Sequence, residues 1–193
     1  MAERISRSPV ARSPIAQPAP VVVRDGWEVS ERRSSAALTL ADCTPMPKWL
    51  ARGTDAFAVP FGRAERSGAT LIVGSGPGEW TLLGGEAPPA PAGDFVSVVD
   101  VTHGRALIRL TGPRAASVLA KLCAIDLAEL VTPNGAAFRS SVAKLVTDVV
   151  RDDRDGTPSY LLHCERSSGQ YLFGALLDAG AEFGIEPTAT ELR

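Results

Sequence analysis

The chain has 193 residues, 45% of them apolar and 22% charged, and a formal net charge of −2. That length suits one domain, whose folding removes roughly 70% of the unfolded chain's surface from water. A pI near 5.7 supplies no electrostatic footprint for nucleic acid, and no apolar run approaches the ~20 residues of a membrane-spanning helix, so neither class of partner is expected.

The first stretch, MAERISRSPVARSPIAQPAP, carries arginines but no apolar core of a secretory signal, which implies a cytoplasmic location. Residues 1–34 are rich in Ser, Pro and Arg, contain the near-repeat SRSPVARSPI and few large apolar side chains, and read as a flexible arm. One domain is expected over 35–187, with a tail at 188–193. Three cysteines, Cys43, Cys123 and Cys164, are too few and too far apart for a disulfide framework or a metal knuckle, and read as buried thiols. His163 beside Cys164 would face the opposite side of a strand, so the two would not share an ion.

Ala37–Cys43 alternates as a strand, TPMP turns the chain, and Lys48–Arg52 can pair back on it. In LIVGSGPGEWTLLGG, residues 71–85, Gly74 and Gly76 have the interval of a dinucleotide fingerprint. The third glycine is replaced by Glu79, a carboxylate where phosphate charge would sit, and no helix follows. Two short apolar segments around Gly-Ser-Gly-Pro-Gly instead predict a hairpin. After the Pro-rich link EAPPAPAGD, Phe95–Thr102 and Arg105–Leu110 have strand-like β-branched content. Thr111, Gly112 and Pro113 then open a helix with Ala115, Val118, Leu119 and Leu122 on one face. Ala137–Asp152 forms one long strand or two bent ones, and Tyr160–Cys164 continues the sheet. A second helix, capped by Ser167 or Ser168, has the stripe Tyr171, Leu172, Ala175, Leu176 and Ala179 and ends near Gly180 or Gly184. The fold class is therefore α+β, antiparallel strands with two amphipathic helices.

Few residues have the chemistry of a site. His103 is an acid or base by type, but an imidazole without a visible partner defaults to a structural role. Asp100, three residues earlier, faces away from it unless the chain turns at Thr102. Trp80, next to Glu79, reads equally as an interface anchor or a core residue, and Trp49 is a second candidate anchor. No catalytic, cofactor-binding or metal-ligating residue is assigned.

The run VVDVTHGRALIRLTGPRAASVLAKLCAIDLAEL, followed by a strand pair and YLLHCERSSGQYLFGALLDAGAEFG, resembles the gamma subunit of heterotetrameric sarcosine oxidase. LTLADCTPMPKW and GSGPGEWTLLG stand upstream in that family's order, so the resemblance covers roughly residues 36–185. That subunit is in turn similar to the folate-binding T-protein of the glycine cleavage system, whose D-V-S-H-like strand leads to a G-P helix. The matching positions here are Asp100, Val101, Thr102, His103, Gly112 and Pro113. In the T-protein a glycine turn joins the next strand pair, which ends in an acid near the folate. The corresponding passage here is SSVAKLVTDVV, with Asp148 but no glycine turn.

The resemblance implies the fold of the T-protein N-terminal domain and a noncatalytic, gamma-type subunit. Its complex would oxidatively demethylate sarcosine or a related N-methyl amine and pass the one-carbon unit to tetrahydrofolate. Its partners would be alpha, beta and delta subunits, with FAD, FMN, NAD, tetrahydrofolate and zinc held there and none on this chain. The alternative is a small folate-binding one-carbon transferase acting alone through Asp148 or Asp100.

Overall fold

The computed structural model describes residues 9–54, 57–88 and 96–192. Its centre is a six-stranded sheet built from β4 (Thr39–Asp42), β10 (Arg105–Thr111), β11 (Ala137–Val142), β12 (Leu145–Arg151), β13 (Ser159–Glu165) and β14 (Glu186–Pro187), in the order β11-β12-β13-β10-β4-β14. Side-chain alternation sends Ala106, Ile108, Leu110, Tyr160, Leu162 and Cys164 to one face and Leu107, Leu161 and Val150 to the other. The first face is covered by α1 (Ala115–Ala120) and α2 (Gly169–Gly180). The second packs on a five-stranded antiparallel sheet through Leu71, Val73 and Leu83. That sheet contains β5 (Lys48–Arg52), β6 (Ala64–Ser67), β7 (Thr70–Gly76), β8 (Glu79–Leu83) and β9 (Ser97–Asp100), in the order β6-β7-β8-β5-β9.

The expected 71–85 hairpin is present as β7 and β8, antiparallel with a register shift between Gly74 and Gly76. A Cβ at Gly74 would stand 2.1 Å from the Pro60 carbonyl oxygen. That glycine therefore admits a crossing chain, with Phe61 bridged to it, and its interval to Gly76 has a packing cause. Gly112, at φ 144°, serves the same end before α1, since a Cβ there would lie 2.3 Å from the Ala37 carbonyl oxygen. Ala137–Asp152 resolves into two strands joined by Ala143 and Lys144, both left-handed at φ 50° and 68°. Two successive positive φ values make the tight hairpin turn that glycine usually supplies.

Several expectations are corrected. β5 does not pair with β4: it lies between β8 and β9 in the other sheet, while β4 pairs with β10 and β14. TPMP thus carries the chain between layers. The first helix has six residues, under two turns, so one long helix and a short one replace the expected pair. In α2 the buried side is Leu172, Phe173, Leu176 and Gly180, with Tyr171 turned outward. Ser168 occupies the N-cap without a side-chain bond, because a 3-10 turn at Arg166–Ser168 leads into the helix.

The segment read as an arm contributes structure from its described part. β1 (Ala11–Arg12), β2 (Val21–Arg24) and β3 (Trp27–Ser30) form a three-stranded sheet, and Ile15 enters the helix-side core. The tail binds both this small sheet and β4: Thr190 N–H donates to Ser30 O at 2.9 Å and Glu191 N–H to Asp42 O at 3.0 Å. Composition hides this order, because Ile15, Trp27 and Val29 are few but are placed where distant backbone can meet them. Among the described residues no helix is long and apolar enough to cross a membrane.

Candidate functional site

Antiparallel register aligns Arg139 with Asp148 and Asp148 with His163. The period-2 pleat then puts all three side chains on the face toward the five-stranded sheet. Arg139 grips the carboxylate with both arms: Nε donates to Oδ1 at 2.6 Å and Nη2 to Oδ2 at 3.2 Å. His163 Nδ1 stands 3.7 Å from Oδ2, beyond hydrogen-bond reach. Neither ring nitrogen of this buried imidazole has a partner among the described residues.

Burial pushes His163 below the usual histidine range against the pull of Asp148, so it is neutral at pH 7. Burial would raise Asp148, but the two hydrogen bonds and the charge of the Arg139 guanidinium hold it below the ordinary carboxylate range.

Gly74, Ser75, Thr81 and Leu83 of β7 and β8 face this row, with Phe61 exposed at the mouth. The space they enclose is about 20 Å³. On the far side of the same three residues a cleft of about 200 Å³ opens toward Leu50, Arg52, Glu79 and Arg105. Pockets for drug-sized ligands run from roughly 300 Å³ upward. Both spaces beside the row are smaller than that as the sheets are packed, and His163 is a buried polar group lining the gap without a hydrogen-bond partner among the described residues.

Of the residues singled out in the sequence, Asp148 belongs to this row and Glu79 lines its outer cleft, paired with Arg52 at 2.9 Å. Trp80 is a core residue: it packs on Trp49, Val59 and Leu82, and its indole N–H donates to Val59 O at 2.8 Å. Trp49 is 8% exposed, which removes it as a protruding anchor. Asp100 and His103 line a separate cleft with Trp27 and Trp49. The chain does turn there, through a 3-10 turn at Thr102–Gly104, with the Thr102 N–H donating to Asp100 Oδ1 at 2.8 Å. Hydrogen bonds from Thr102 keep Asp100 below its ordinary range. His103 stacks flat on Trp27, centroids 4.8 Å apart.

Cys43 and Cys164 are buried and Cys123 is half-buried; burial pushes the Cys43 thiol well up and Cys164 to about 11. Cys164 lies in the helix-side core while His163 faces the sheet gap.

Arg139 and His163 are the members of the row that sequence reasoning did not assign. Their shared face follows from alternation once the turn at Ala143–Lys144 sets the register. No glycine marks that turn.

Residues 76–193 match the family model described as the GCVT N-terminal domain. An aminomethyltransferase of Geobacillus thermodenitrificans is 37% identical over 92 residues, and one of Saccharopolyspora erythraea 32% over 94 residues. The match covers 48% and 49% of this chain and 25% of each relative, so it spans about a quarter of their length. Among solved structures, the heterotetrameric sarcosine oxidase from Corynebacterium sp. U-96 in complex with pyrrole 2-carboxylate is similar with a TM-score of 0.66 at 22% identity, over 84% of this chain and 92% of that chain. The glycine cleavage system aminomethyltransferase T from Bartonella henselae gives 0.63 at 16% identity, over 88% of this chain and 55% of that chain. The fold is thus the one these proteins share.

Proposed function

We propose, on the premise that this chain belongs to the GCVT N-terminal domain family, that it is a noncatalytic, gamma-type subunit of a sarcosine-oxidase-like complex. The observation that carries this reading is the bidentate hold of Arg139 on Asp148. A carboxylate that takes a proton from a substrate amine must be basic enough to hold it. The permanently charged fork of Arg139 fixes the carboxylate's orientation and favours its ionised form, and Asp148 is held below the ordinary carboxylate range, which argues against a general base. The near-complete coverage of the sarcosine oxidase chain, against 55% of the aminomethyltransferase, supports the same assignment.

In this reading the complex acts in the cytoplasm and demethylates sarcosine or a related N-methyl amine, passing one carbon to tetrahydrofolate. Alpha, beta and delta subunits hold FAD, FMN, NAD, tetrahydrofolate and zinc, and this chain holds none. Its contribution is assembly.

Isolation of the tagged chain from its native host should recover flavin-bearing partners. Asp148→Asn should then change turnover per assembled complex by less than roughly tenfold, about 1.4 kcal/mol. A hundredfold loss in a fully assembled complex would overturn the accessory reading.

A second reading, a small folate-binding transferase acting alone, draws on the unpartnered buried His163 beside Asp148. It requires the sheet gap to open. Tetrahydrofolate raising the melting temperature of the isolated chain, and failing to do so in His163→Leu, would favour it.

A further inference from the structure

The cleft that holds Asp100 and His103 lies between the N-terminal hairpin turn and the five-stranded sheet and encloses about 680 Å³. Pro45 and Pro47 give it apolar surface beside the polar Thr102 and His103. Trp27 and Trp49 line it at 7% and 8% exposure, and neither indole N–H donates to a described residue, unlike that of Trp80. Asp25, Glu86 and Asp100 stand at its rim, exposed, and none forms an ion pair with a described residue. The surface therefore combines three exposed carboxylates without an ion-pair partner among the described residues, although Lys48 and His103 act on Asp100, with tryptophan and proline surface and two indole N–H groups that donate to no described residue.

An inorganic cation would answer the carboxylates alone. A lysine or arginine side chain answers them with its head group and lays its methylene stem on the tryptophans. The peptide carbonyls beside that side chain supply acceptors for the indole N–H groups. We propose that this cleft is a docking site for a partner polypeptide that inserts a lysine or arginine side chain. The proposal rests on the accessory-subunit reading only for the existence of such a partner. Its test uses this chain alone, so failed docking leaves assembly standing, and failed assembly leaves docking standing.

The three tryptophans give three indole N–H resonances in a nitrogen-15 spectrum of the full chain. N-acetylarginine N-methylamide and its lysine counterpart should move those of Trp27 and Trp49 and leave that of Trp80 in place, with dissociation constants on the order of 1–10 mM. The triple variant Asp25→Asn, Glu86→Gln, Asp100→Asn should bind at least about tenfold more weakly, with the Trp80 resonance reporting an intact core. Should that variant not fold, salt provides the same reading on the unaltered chain, since ~0.5 M sodium chloride must weaken a rim of exposed carboxylates. Indoles that do not move, or that move equally with the citrulline derivative, would overturn the proposal. So would methylammonium binding as tightly as the arginine derivative, which would give the cleft to a free small cation.

Discussion

Arg109 and Glu191, 82 positions apart, meet at 3.0 Å between Nε and Oε2, and Arg109 is 2% exposed. The same guanidinium lies 2.9 Å from Asp152 Oδ2 and donates to Ser159 Oγ at 3.0 Å. A charge this buried persists only when it is paired and hydrogen-bonded. The end of the described chain is therefore part of the domain's electrostatic closure, because Glu191 supplies one of its two carboxylates.

Glu191→Gln should destabilise the chain by about 1–2 kcal/mol, since Asp152 remains on Arg109 and Glu191 is partly solvated. Urea unfolding measures it. A midpoint equal to that of the unaltered chain would show that Asp152 alone satisfies Arg109.

Stability should fall as pH drops below about 6.5, the unfolded histidine value. His163 has a folded pKa below that value, so the unfolded chain takes up a proton while the folded chain does not. Its contribution is present above pH 6.5 and is lost as pH falls toward the folded value. His163→Leu should flatten this part of the profile. Asp148 and Asp152, both depressed, contribute above about pH 4, and their share is lost as pH falls further, through their folded values. Unfolding midpoints measured from pH 7 to pH 3 separate the two windows.

Lys144→Gly should stabilise by roughly 0.5–1 kcal/mol. Lys144 is exposed and left-handed at φ 68°, a conformation that glycine adopts without the Cβ clash. A higher melting temperature checks it, and a lower one would mean that the lysine side chain makes a contact worth more than the strain.

Gly74→Ala should destabilise by about 2 kcal/mol or more, because its Cβ would stand 2.1 Å from the Pro60 carbonyl oxygen. Titration with NAD should leave the melting temperature of the unaltered chain where it is. NAD-dependent stabilisation that Gly76→Ala abolishes would restore a nucleotide role to this turn, since a Cβ at Gly76 meets only Glu79 Cβ at 3.5 Å and leaves the packing intact.

Local patterns determined much of this molecule. Alternation placed a strand at 37–43, β-branched content one at 105–110 and the apolar run at 160–164 a further one, the Gly-Ser-Gly-Pro-Gly link placed the β7–β8 hairpin, and the order of motifs pointed to the shared fold. Those features depend on neighbours within a few residues. What tertiary structure decided depends on partners far along the chain. It drew Ile15 and Trp27 of the supposed arm into the fold and separated β4 from β5 into different sheets. It also buried Trp80 beneath Val59. The Arg139–Asp148–His163 row belongs to the same class: each residue was visible, but their alignment follows from a strand register set by two non-glycine residues with positive φ. That conformation carries no signature in composition or spacing, and only packing of the hairpin onto β13 and the facing sheet makes it favourable.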